Sequence, residues 1–147
     1  MAKTMDAVTI ARENIEAFNL GDKQRFGANL TPDSVYRELA TGREARGVDE
    51  GTNTSFSWRD AFPDAHGEIT NSFASGDQAM LQITWTGTHK GDLVSPAGTI
   101  PATGKRVTIP ACQVITIHDG KIVRTDHYFD LMTMLVQLGV TPAQQPV

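Results

Sequence analysis

The chain has 147 residues, 39% hydrophobic and 20% charged, with a formal net charge of -4. That length suits one domain burying roughly 68–70% of its unfolded surface, and no window nears the ~20 apolar residues that cross a bilayer. The acidic balance, with no basic cluster beyond Lys105-Arg106, argues against a nucleic-acid footprint, and the lone Cys112 excludes an intramolecular disulfide or a multi-cysteine metal site.

The N-terminal stretch has Asp6, Glu13 and Glu16 among its apolar positions, so it lacks the apolar run of a secretion signal. Cytoplasmic residence is the expectation, in agreement with the cysteine usage. Val8, Ala11, Ile15 and Phe18 recur at helical spacing and Gly21 supplies a stop, predicting an amphipathic helix over 5–19. Asp22 can cap a second helix, KQRFGANL, which Thr31-Pro32 ends. SVYRELA reads as a strand, with Val35 and Arg37 on one face and Tyr36 and Glu38 on the other. Gly42 and Gly47 break the chain before a third helix, about 49–62, capped by Asp49 and terminated by Pro63.

Three β-rich runs follow: HGEITNSFAS, QAMLQITWTGTHK and KRVTIPACQVITIHDGKIVRTDHYF, the last folded in two at Asp119-Gly120. Between the second and third lies GDLVSPAGTIPATG, whose three glycines and two prolines mark a surface loop or lid. Leu131, Met134, Leu135 and Leu138 form a helical stripe, with Asp130 placed to cap it and Gly139 to end it. The tail TPAQQPV, 141–147, is expected to fray, leaving 1–140 as a single domain. Helices followed by an antiparallel meander make an α+β domain, in which a strongly bent sheet wraps against the helices and encloses a cavity.

On the last strand, alternation gives Val123, Thr125, His127 and Phe129 one face and Arg124, Asp126 and Tyr128 the other. His127 is therefore a titratable group on an apolar face, where it serves either as a pocket acid/base or as a buried ring held by its neighbours. Asp126 is expected to pair with Arg124 away from the cavity. A two-residue turn at Asp119-Gly120 sets Cys112 opposite His127, whereas a three-residue turn with a bulge pairs Gln113 with Thr125. His66, His89 and His118 lie at turns or at the lip of the lid loop. Their separation offers no metal-ligand spacing, so no metal is expected.

The segments AFPDAHGEI, ITWTGTHKGDL, TGKRV, HDGKIV and HYFDLMTMLVQLG, in that order along nearly the whole chain, resemble the SnoaL-like family of polyketide and ester cyclases, within the nuclear transport factor 2-like superfamily. The resemblance implies a cone of bent sheet closed by helices, with a short C-terminal helix, commonly a homodimer, and reacting residues lining the cone. The family's pocket acid/base falls seven positions after the turn glycine and three before the capping aspartate, which is His127 here. The cyclases and the related limonene epoxide hydrolases most often carry aspartate at that place. Tyr36 matches a hydrolase tyrosine, Glu38 stands where an asparagine would, and the hydrolases' arginine and second aspartate have no match in TWTGTHKG.

The expected function is cofactor-independent proton transfer on a small hydrophobic carbonyl compound, as a cyclase, isomerase or dehydratase, with His127 and Glu38 as acid/base groups, the latter if desolvation raises its pKa. Tyr36, Trp58, Phe62, Trp85, Gln113 and Phe129 are the candidate substrate-binding residues. The alternative is a non-catalytic small-ligand-binding or accessory protein of the same fold. Neither nucleic acid nor membrane is expected as a partner, and an outer sheet face carrying Ile122 and Tyr128 favours a dimer.

Overall fold

The computed structural model describes residues 6–96 and 98–140; the tail expected to fray lies outside them. Asp6 accepts the Thr9 N–H at 2.7 Å and begins α1, Ala7–Asn19. Ile10, Ala11, Ile15 and Phe18 form its buried face. Asp22 caps the short α2, Lys23–Ala28, by accepting the Arg25 N–H at 3.0 Å. The next strand, β1, Leu30–Glu38, begins earlier than its alternation suggests. Pro32, which has no N–H to give a ladder, falls within the irregular stretch between Leu30 and Val35.

A short strand, β2, Arg43–Arg46, lies where the sequence shows only a break between two glycines, and it pairs antiparallel with β1. It leads into α3, Gly47–Ala61. This helix starts two residues before the expected Asp49 cap, because Gly47 takes φ 85° at the junction, and it has no side-chain cap. Asp49 and Glu50 instead occupy the first turn, where they favourably meet the helix dipole. The sheet continues with β3, His66–Ser75, and β4, Gln78–Thr88. The expected lid loop carries a hairpin of its own, β5, Leu93–Ser95, against β6, Gly98–Ile100. Then come β7, Arg106–His118, β8, Lys121–Phe129, and α4, Leu131–Gln137. Asp130 caps α4, accepting from the N–H groups of Met132 and Thr133. No helix among the described residues is long and apolar enough to cross a membrane.

The main sheet runs β2-β1-β8-β7-β4-β3. All its neighbours are antiparallel except β1 and β8, which run parallel and bring Glu38 level with His127. One irregularity fixes the site. His118 pairs with Lys121 across a two-residue turn in which Asp119 (φ 49°) and Gly120 (φ 76°) both take left-handed conformations. Ile117 then pairs with Ile122, but Thr116 pairs with Arg124, so Val123 is an inserted bulge residue. Beyond it the register places Gln113 opposite His127 and Cys112 opposite Tyr128, which is neither of the two registers expected from the turn. The bulge also turns Ile122 inward, where it is buried in the core. It therefore does not lie on the outer face, and one of the two residues favouring a dimer is removed from it.

Two apolar clusters hold the sheet to the helices. The larger joins α1, Phe26, Leu30 and Phe56 to Leu81, Ile83, Ile115 and Ile122; the smaller joins Ala61, Phe62 and Leu93 to Val107, Ile109, Met134 and Leu138. Trp58 and Trp85 border the first, and Trp58 also borders the second. Trp85 lies flat over Gly67, its pairing partner on β3; a methyl added there would come within 2.7 Å of the indole ring. Gly67→Ala is expected to displace Trp85 and cost about 1–3 kcal/mol by overpacking, read as a lower urea midpoint together with a shifted tryptophan emission; an unchanged midpoint and spectrum would contradict this packing.

Candidate active site

Strand β1 alternates so that Tyr36 and Glu38 both project inward, and the parallel register sets them beside Thr125 and His127 of β8. A continuous chain of hydrogen bonds results. Trp85 donates its indole N–H to Nε2 of His127 at 3.1 Å. Because an indole nitrogen only donates, Nε2 is the accepting nitrogen, and the neutral ring carries its proton on Nδ1. That Nδ1–H lies 2.9 Å from the Tyr36 hydroxyl, which in turn donates to Oε2 of Glu38 at 2.7 Å.

Glu38 is 1% exposed. Its carboxylate accepts from Arg43 Nε (2.9 Å) and Nη2 (3.1 Å), from the Thr41 hydroxyl (2.6 Å) and from the Trp58 indole N–H (2.8 Å), as well as from Tyr36. The hairpin from β1 to β2 makes this set, since Glu38 pairs directly with Arg43 across it. Arg43 is steadied by donation to the Ser57 hydroxyl at 3.0 Å and by its position over the Trp58 ring, 5.2 Å from the centroid.

Protonation follows from these contacts. Burial alone pushes the Glu38 carboxyl upward, but the hydrogen bonds and charge of Arg43, with Thr41 and Trp58, outweigh it and hold the group below the ordinary carboxylate range. The expected rise is thus reversed, and with it the acid/base role for Glu38: it is a fixed carboxylate that orients Tyr36. Burial raises the Tyr36 hydroxyl well above its usual value, and the charge of Glu38 adds to this. Burial lowers His127 to about 4, against a weaker upward pull from Glu38. At neutral pH the site therefore holds a neutral imidazole, a protonated phenol and an ionised carboxylate.

Tyr36 and His127 open onto a cavity of about 100 Å³ walled mainly by apolar and aromatic side chains, among them Phe18, Phe26, Phe62, Ile109 and Phe129. Asn14, Ser34, Ser55, Thr86, Gln113 and Thr125 supply its other polar side chains. A second space of about 230 Å³ lies under the β5–β6 hairpin, and Trp58 and Met134 border both. Small-molecule sites usually measure roughly 300–1,000 Å³, so the inner cavity alone accommodates only a compact ligand. Over residues 8–138 the chain matches the family model of the SnoaL-like polyketide cyclases. The chain belongs to that family.

Solved structures agree. AclR from Streptomyces galilaeus, a proposed hydroxylase, is 25% identical with a TM-score of 0.76, covering 95% of this chain and 88% of its own. IdmH from Streptomyces antibioticus, a proposed polyketide cyclase, is 24% identical with a TM-score of 0.78, covering 92% and 100%. A Catenulispora acidiphila protein of ketosteroid isomerase-like fold, solved with trimethylamine, is 18% identical with a TM-score of 0.77, covering 93% and 97%. No curated protein matches the chain. The family supports a small-molecule, cyclase-type function, and the neighbours share its fold.

In this SnoaL-like chain, all eight residues singled out from sequence lie at the cavity or in its network. Tyr36, Trp58, Phe62, Trp85, Gln113, His127 and Phe129 line the cavity, and Glu38 sits behind Tyr36. Phe62 also stacks on His89, whose ring is fully buried, accepts the Thr103 N–H at 3.2 Å and closes the base of the lid segment. Asp126 pairs outside with Arg37 and Arg124, each at 3.1 Å. Cys112 lies beside Tyr128 rather than His127, and burial raises its thiol pKa, so a thiolate–imidazole pair is not formed. Arg43 and Thr41 are not singled out by the sequence pattern. Their signal was an inward-facing glutamate followed by a Thr-Gly turn and then arginine, but REAR between two glycines is too short to read as a strand.

Two consequences are measurable. The folded pKa of His127 is about 4, against roughly 6.5 in an unfolded chain, so between those values the unfolded state binds the extra proton and stability rises with pH. The contribution is complete above about pH 6.5 and lost on acidification toward 4, amounting to roughly 3 kcal/mol. His127→Gln should flatten this slope in denaturation curves taken across that window; a mutant that loses stability as steeply as wild type would contradict it. Arg43→Leu leaves a buried carboxylate without its cation and should cost about 3–5 kcal/mol. The double mutant Glu38→Leu/Arg43→Leu should recover part of that loss, which a thermal-unfolding cycle reads directly.

Proposed function

We propose that this protein catalyses proton transfer on a small hydrophobic carbonyl compound, using neutral His127 as the base. What supports this reading is the chain of hydrogen bonds from Trp85 through His127 and Tyr36 to Glu38 at the wall of an apolar cavity. The substrate carbonyl displaces the Trp85 N–H from Nε2 and accepts it. Nε2 takes a proton from the carbon next to that carbonyl, and the C–H electron pair moves onto oxygen as an enolate. His127 is then an imidazolium whose Nδ1–H still faces Tyr36, with the Glu38 charge one phenol away.

A base whose conjugate acid titrates near 4 works best on an already acidic carbon, such as one flanked by two carbonyls. The enolate formed beside the ring then raises the imidazolium pKa, which eases the transfer. Returning the proton to another carbon gives isomerisation. Attack of the enolate carbon on a second carbonyl of the same molecule, with the proton delivered to the new alkoxide, gives cyclisation, and the closed wall favours it by holding the reacting ends together.

Deuterium wash-in from solvent at the α-carbon of a β-ketoester such as ethyl 3-oxohexanoate tests the proposal. Wild type should accelerate exchange over buffer, with an acid limb near pH 4 rather than 6.5, and His127→Gln should lose at least ~100-fold of that rate. An ester that binds without any accelerated exchange would favour the ligand-binding alternative, which the occupied state of both His127 nitrogens makes a real competitor.

A further inference from the structure

The space of about 230 Å³ under the β5–β6 hairpin takes no part in the proton transfer proposed above. Among the described residues that line it, only Trp58 and Met134 also line the inner cavity. Its walls are mainly aliphatic: Leu93 and Ile100 come from the hairpin, and Leu131, Met134 and Leu135 from α4. Arg43 is the one charged side chain among them, and Glu38 already meets its charge, accepting from Nε at 2.9 Å and Nη2 at 3.1 Å. A charged group entering this space would shed water without gaining a net opposite charge. The Thr41 hydroxyl donates to Glu38, and the Ser95 hydroxyl to the Gly98 carbonyl. What the space offers is apolar contact.

Volume separates the two spaces. An apolar protein cavity of roughly 150 Å³ holds one benzene ring. The inner cavity, about 100 Å³, is smaller than that, and the outer space, about 230 Å³, is larger. Together they enter the roughly 300–1,000 Å³ range usual for small-molecule sites. The partition between them has one fixed half and one soft half. Trp58 is pinned by its N–H bond to Glu38 at 2.8 Å, by the Arg43 guanidinium 5.2 Å from its ring centroid and by an edge contact with Phe129 at 5.7 Å. Met134 packs in the apolar cluster with Phe62 and Leu93, and an unbranched thioether with three rotatable bonds reshapes itself at little cost. We propose that the space under the hairpin is a second binding compartment, which takes an uncharged aryl or short alkyl group of a molecule whose polar end reaches the inner cavity past Met134. This deepens the proposed function, since that molecule is taken to be the substrate, but the compartment is tested without turnover.

The test is methyl NMR on protein labelled at Met, Ile and Leu. Toluene, too large for the inner cavity, should shift the methyls of Leu93, Ile100, Leu131, Leu135 and Met134 and leave those of Ile15, Ile109 and Ile122 in place. Benzoate, which has the same ring and a charge, should bind at least ~10-fold more weakly. Acetylacetone should shift the inner methyls alone, and 6-phenylhexane-2,4-dione both sets, binding at least ~10-fold more tightly. Ile100→Trp, on the partly exposed hairpin, should fill the compartment, abolish the toluene shifts and cut that advantage to within ~2-fold, with acetylacetone bound as in wild type. Leu135→Trp fills the same space from α4 and should do the same. Toluene that moves the inner methyls, or none at its solubility limit, would overturn the proposal. So would a phenyl compound that moves one set alone, or an advantage that survives in a folded filling variant. The two readings fail separately. Both sets shifted without deuterium wash-in would leave the compartment in a ligand-binding protein, while wash-in with unmoved outer methyls would leave the enzyme and remove the compartment.

Discussion

The ion pair between Glu38 and Arg43 is what the rest of the site leans on. A carboxylate with 1% exposure is costly unless its lone pairs are filled, and here five side-chain hydrogen bonds from four residues fill them. Such a pair is a poor store of stability, since its Coulombic gain is largely spent on desolvation. Its value lies in direction. Glu38 accepts the Tyr36 O–H hydrogen bond, so Tyr36 presents its oxygen to Nδ1 of His127, and the tautomer that results leaves Nε2 as the basic nitrogen.

The same pair ties together elements that are distant in sequence. Trp58 on α3 donates to the Glu38 carboxylate and lies against Arg43, while Ser57 on the same helix receives the far end of the guanidinium. Trp58 also forms part of the wall between the inner cavity and the space under the β5–β6 hairpin. The charge centre therefore positions both the hydrogen-bonded chain through Tyr36 to His127 on one side and the partition between the two cavities on the other.

Burial favours the neutral form of both His127 and Glu38, and only His127 yields to it. It keeps His127 neutral, because nothing cationic-favouring reaches the ring except Glu38 through Tyr36. It would also neutralise Glu38, but hydrogen bonds to Arg43 and its neighbours prevent that. Where the family more often has an aspartate, this chain has a histidine that is uncharged at neutral pH and, in the proposed function, gains charge only on acting as the base. An uncharged base costs little to enclose in an apolar wall, which is consistent with a cavity whose other walls are largely aromatic and aliphatic.

Local pattern was enough for much of this protein. Helical spacing gave α1 and α4, Asp22 and Asp130 cap helices because a short side chain at that position reaches a free N–H, and alternation placed His127, Tyr36 and Glu38 on inward faces. The tertiary structure decided what alternation cannot carry. One inserted residue, Val123, changes which residue faces which for the rest of a strand pair, and a bulge leaves no mark in a periodicity of two. It put Gln113 rather than Cys112 beside His127 and turned Ile122 into the core. The ionisation of Glu38 was equally beyond the sequence. It depends on Arg43, Thr41 and Trp58 converging on one carboxylate from a hairpin and a helix, and a pKa belongs to that convergence rather than to the residue.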